Sequence, residues 1–126
     1  MKWKFVIPLQ TAELINKYEE FSGYKFTDAF KEIIMNYNAG RPEKWIIDLE
    51  SGNRILVKKL LSFNPDDKDS IWNIVPDEDM LPFMLDSFGN HICLNKNNNE
   101  ILFIKKTGQK EYIADNIEDF LEKLHR

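Results

Sequence analysis

Leu14, Ile15, Tyr18 and Phe21 recur at intervals of three and four, while Glu13, Lys17, Glu19 and Glu20 fall between them. That spacing puts one apolar stripe on an α-helix. It predicts a helix over Thr11–Phe21, with Thr11 capping its start and Gly23 ending it. A second stripe of Phe30, Ile33, Ile34 and Tyr37 predicts a helix over Thr27–Asn38, closed by Gly40 and Pro42.

From Trp45 the period shortens. Trp45–Glu50 and Arg54–Lys59 are short runs rich in β-branched and apolar residues, joined through Ser51, Gly52 and Asn53, and they read as a hairpin. Leu81–Asp86, Asn90–Asn95, Ile101–Lys106 and Glu111–Ala114 continue in the same style. Phe88-Gly89, Asn97-Asn98-Asn99 and Thr107-Gly108-Gln109 punctuate them. Connections this short cannot carry a crossover helix, so an antiparallel meander is predicted. Between the hairpins Ser62–Asp79 is acidic and irregular, with one short helix expected around Ser70–Ile74. Trp3, Phe5 and Ile7 alternate, which fits either an edge strand or an extended arm.

Helical spacing returns at the end, where Ile117, Phe120, Leu121 and Leu124 share a face. Asp115 with Glu118 has the form of a capping box, and Lys123, His125 and Arg126 lie where the helix dipole favours cations. Helices, then strands, then a helix give an α+β class: a mostly antiparallel sheet flanked by helices.

Composition narrows the function more than the fold. At 126 residues, 43% apolar and 30% charged, residues 1–126 are expected to form a single globular domain. Only Phe5–Ile7 is apolar before Pro8, so no signal-peptide core is expected, and no later run reaches membrane-spanning length. A lone Cys93 excludes an internal disulfide and fits a reducing compartment, so the cytoplasm is the expected location. A net charge of −4 argues against direct nucleic-acid binding, which needs clustered Lys and Arg.

Candidate chemistry is sparse. One cysteine and two distant histidines offer no closely spaced zinc ligands, and the isolated glycines form no phosphate loop, so neither metal nor cofactor is expected. Asp86, Ser87 and His91 are triad-type residues, yet they flank a turn in which Asp and Ser are ordinary turn formers. His91 with His125 is the alternative acid–base pair for a small hydrolase or ribonuclease. His125 is explained by its place at a fraying helix end, and Cys93 by core packing between Ile92 and Leu94.

The most asymmetric feature is the irregular stretch, where Asp66, Asp67, Asp69, Asp77, Glu78 and Asp79 accompany only Lys68, with Trp72 among them. Carboxylates beside a tryptophan suit an interface with a basic partner, through steering and an aromatic anchor. The competing reading is a solvated loop with Trp72 turned into the core.

Three segments together resemble the SUKH superfamily of Smi/Knr type: Asn38-Ala39-Gly40-Arg41-Pro42, the run from Leu81 through Asp86-Ser87-Phe88-Gly89-Asn90-His91-Ile92-Cys93-Leu94 to Asn95, and Ile117, Phe120 and Leu121 in the last helix. Ala39 stands where the family pattern has its first glycine, Phe26-Thr27 where a Leu-Pro pair often opens the second helix, and Asn95 for the common aspartate. The resemblance implies an α+β fold without enzymatic activity. It also implies a protein partner. For the bacterial members that is a cognate toxin, often a nuclease, neutralised by an immunity protein through direct binding. For the eukaryotic relatives it is the machinery regulated in cell-wall synthesis, which leaves a scaffold or regulator with no toxin as the alternative.

Overall fold

The computed structural model describes residues 1–75 and 77–126. In chain order, Trp3–Lys4 forms β1, Glu13–Ser22 α1, Asp28–Tyr37 α2, Arg41–Pro42 β2, Ile46–Asp48 β3 and Arg54–Leu60 β4. A 3₁₀ turn covers Ile71–Asn73. Met80–Asp86 is β5, His91–Asn95 β6, Ile101–Ile104 β7, Lys110–Ala114 β8 and Ile117–Lys123 α3. The fold is α+β, as the alternation of periods predicts. Strands β3 to β8 form one antiparallel sheet in sequence order, the meander expected from the short connections.

Local chemistry sets the helix ends. Gly23 takes φ 71° and its N–H donates to the Glu19 carbonyl at 2.9 Å, a left-handed closure that costs glycine little. Thr27 caps α2 by accepting from the Phe30 N–H at 3.3 Å. Two caps differ from expectation. Ala12 precedes α1 without a side-chain cap, and the Thr11 hydroxyl accepts from Glu13 N–H instead. At α3 the cap is Asn116, whose side chain accepts from Asp119 N–H at 2.9 Å; Asp115 turns to the Tyr112 hydroxyl.

The hydrophobic core lies between the helices and one face of the sheet. Phe83 on β5 takes the ring of Phe30 from α2 edge-on at 5.3 Å and that of Phe120 from α3 at 6.0 Å. Both helical layers therefore seal the same face. Phe26 stacks on Phe30 at 4.7 Å, and Tyr18 reaches Phe63 at 5.4 Å. Such pairs add about 0.5–1.5 kcal/mol each beyond simple burial. Phe21, placed on the α1 stripe by periodicity, is 53% exposed and meets the rings of Tyr18 at 5.8 Å and Trp72 at 5.6 Å.

The N-terminal segment is both strand and arm. Trp3 pairs with Pro42 and Lys4 with Arg41, after which the chain leaves the ladder at Phe5. The C-terminus is not a frayed helix end. Beyond α3, His125 pairs with Ile46 on β3, giving N–H to Ile46 O at 2.9 Å and accepting from Ile46 N–H at 2.8 Å and Trp45 N–H at 3.0 Å.

Candidate protein-binding surface

The acidic stretch divides into two groups, one following β4 and one preceding β5. Asp67 accepts from the Ser62 hydroxyl and from Asn64 Nδ2 at 3.1 Å, which fastens the turn to the buried polar pair Ser62 and Asn64. Asp69 pairs with Lys59 at 3.3 Å. Asp66 faces solvent. Trp72 is half-buried: its Nε1–H donates to Phe63 O at 2.8 Å and its ring meets Tyr18 at 5.1 Å.

In the second group the Asp77 carboxylate accepts from Asp79 N–H at 2.9 Å and Met80 N–H at 2.8 Å, so it organises the entry to β5. The Met80 N–H, chiefly, holds this carboxyl below the usual range, against the opposing effect of burial. Asp79 accepts from Asn97 Nδ2 at 3.1 Å on the β6–β7 turn. Glu78 is exposed and, with Asp66, keeps its carboxylate free of hydrogen bonds and ion pairs among the described residues. The fold thus leaves the stretch negative at its surface while assigning Asp67, Asp69 and Asp77 local structural roles.

The turn cluster is organised around Asp86, 3% exposed. Its carboxylate accepts from Phe88 N–H at 2.9 Å, Asn90 N–H at 2.7 Å and Asn90 Nδ2 at 3.0 Å. Those donors leave it fixed in the turn. His91 is half-buried on β6, and desolvation lowers its pKa, only partly offset by Asp86; the lowering favours the neutral ring. His125 instead bonds Asp48 through Nε2 at 2.8 Å. Cys93 is buried, and burial pushes its thiol up to about 12, the wrong direction for a nucleophile. Among the described residues no group of three or more His, Cys, Asp or Glu side chains is placed to hold a metal.

Sequence reasoning passed over a second surface. Phe5 is 75% exposed and Trp45 43%, and both line a groove of about 300 Å³ together with Lys4, Arg41 and Lys58. The Trp3, Phe5, Ile7 alternation carried the signal, interleaved with Lys2 and Lys4, although it reads equally as an edge strand.

Residues 12–121 match the family model SUKH_6, described as SMI1-KNR4 cell-wall. The chain belongs to the SUKH superfamily. No curated protein and no solved structure matches it. The segment from Leu81 to Asn95 that carries the resemblance is the β5–β6 hairpin, and Asp86 and Asn90 are the pair that closes its turn. Ala39 sits at φ 61°, in the left-handed region that favours glycine, at the position where the resemblance places one. No helix among the described residues is long and apolar enough to cross a membrane.

Proposed function

We propose that this SUKH domain is a non-catalytic immunity protein that neutralises a cognate toxin, of the nuclease kind, by direct binding in the cytoplasm. The observation that carries the reading is the family match over residues 12–121. Two further features support it. Asp86, one of the three triad-type residues, is committed to a turn, and Cys93 to the core. The stretch around Asp66 and Glu78 stays negative at the surface, which would speed encounter with the basic groove of a nuclease.

The test is co-expression of each neighbouring gene product with and without this chain, scoring growth and then co-purification. One neighbour arrests growth alone, is tolerated together with this chain, and co-purifies with it. His91→Ala retains full rescue. Loss of rescue in a folded His91→Ala protein would point to catalysis. The family description, SMI1-KNR4 cell-wall, favours a second reading, a scaffold or regulator with no toxin; that reading prevails if no neighbour is toxic.

A further inference from the structure

The groove between the N-terminal arm and strands β2 and β4 joins two features that the core does not explain. The first is Phe5. The chain is pinned on both sides of it: Trp3 stacks on Tyr37 at 5.3 Å, Glu43 N–H donates to Lys2 O at 2.9 Å, and Ile7 N–H donates to Asn38 O at 2.9 Å. Between these anchors Phe5 takes φ 56°, a left-handed conformation that is strained for a bulky residue. With the ring 75% exposed, burial offsets little of that strain.

The second feature is charge. Lys4, Arg41 and Lys58 line the groove, and none has a carboxylate within salt-bridge distance among the described residues. Glu43, the acidic residue of the lining, is already paired with Arg126. The Arg41 guanidinium lies 5.6 Å from the Phe5 ring centre, which places a cation directly against the exposed aromatic. Trp45 supplies a second half-exposed ring.

We infer that this groove docks an acidic segment of a partner protein, with an apolar side chain of that segment seated against Phe5 and Trp45. The inference goes beyond the toxin-binding reading, because the surface is opposite in charge to the acidic stretch around Asp66 and Glu78. Unpaired cations around a strained, outward aromatic match carboxylates flanking an apolar anchor. A nucleic acid fits less well: three cations are few for a phosphate track, and the chain's net charge of −4 repels a polyanion at longer range.

The test is selection of a displayed random hexapeptide library on the intact chain and on a Phe5→Ser/Arg41→Glu variant. The wild type enriches peptides with two or more Asp or Glu around an aromatic residue or leucine, and the best peptide binds the variant about tenfold more weakly. That peptide shifts the backbone amides of Phe5, Arg41 and Lys58 in a nitrogen-15 NMR titration and leaves Asp66 and Glu78 unmoved. Thermal melts by circular dichroism verify folding. Should the double variant fail to fold, Lys58→Glu replaces it with the same expected loss. No enrichment, enrichment of basic or uncharged peptides, equal binding by the folded variant, or shifts confined elsewhere would overturn the proposal. So would a fluorescent twelve-nucleotide oligo(dT) that binds as tightly as the peptide and is lost with Arg41→Glu. None of these results bears on growth rescue, so the toxin-binding reading stands or falls separately.

Discussion

Single residues show where pattern reading stops. Tyr18 reads as one more apolar position on α1, and it is 1% exposed, but its hydroxyl has no hydrogen-bond partner among the described residues. Burial pushes its pKa up to about 12. A buried unpaired hydroxyl costs about 1–3 kcal/mol, so Tyr18→Phe is expected to raise stability by about 1 kcal/mol, whereas Tyr18→Ala loses at least 3 kcal/mol. Urea titrations of both variants decide it, and a destabilised Tyr18→Phe would mean that the hydroxyl has a partner after all. Gly40 carries the opposite constraint, since an added Cβ would lie 2.7 Å from Tyr37 O and 3.2 Å from Trp3 and Val6 side-chain atoms. Gly40→Ala is expected to cost about 2 kcal/mol, read in the same titration. Charge was legible in the acidic stretch and its partners were not: nothing in the order of residues says that Asp77 accepts two main-chain N–H groups while Glu78 beside it accepts none. Because the Asp77 carboxyl is held below its ordinary value, its contribution to stability is complete above the unfolded pKa of about 3.9 and disappears as pH falls through the lower folded value. Any stability gap between wild type and Asp77→Asn should therefore be constant near neutrality and change only below about pH 4. A gap that changes near pH 6 would exclude this carboxylate as its source.

At the scale of elements, apolar spacing and turn residues located the helices and the strands of the meander, even where β6 buries Ile92, Cys93 and Leu94 in succession and the β4–β5 connection is long. These signals erred at the ends, where neighbouring residues compete for one role. Asp115 and Asn116 are both good N-caps, and the backbone chooses Asn116 by placing it in the extended conformation, with φ −162°, directly before α3. Asn116→Ala should cost about 1 kcal/mol and Asp115→Ala less than about half of that, measured by thermal unfolding; the reverse order would restore the Asp115 box. Interruptions inside strands were equally hidden. Pro82 lies on β5, which is paired on both sides, and cannot donate to a ladder, so the register shifts between Pro82 and Met84. A second shift between Val57 and Lys59 bends β4, beside the groove that Lys58 lines. Composition records a proline or a lysine at these places and says nothing of the extra residue each strand absorbs.

For the molecule as a whole, the open question in any meander is what happens at its two edges, since an unpaired strand invites another chain. Here β3 and β8 are the edges. On β8, Lys123 from α3 places its ammonium 2.6 Å from Ile113 O. The sheet curls enough for Asn53, at the tip of the β3–β4 turn, to reach Glu111 on β8 at 3.3 Å. Helix α3 then carries the chain from β8 back across the covered face, and His125 finishes it against β3 with three main-chain hydrogen bonds. Two side-chain pairs reinforce that join, His125 with Asp48 and Arg126 with Glu43. The sequence announced a helix with a cationic end; it did not announce that the residues beyond it act as a strand, because two residues have no period. At about 0.5–1.5 kcal/mol for each hydrogen bond, deleting His125 and Arg126 should cost about 2 kcal/mol and lower the melting temperature by roughly 6–12 °C. It should also leave β3 unpaired on its outer side, so that the shortened chain self-associates with rising concentration in sedimentation experiments while the intact chain, at the same concentrations, does not. A shortened chain with an unchanged melting temperature and no added association would show that the bridge to Ile46 closes nothing.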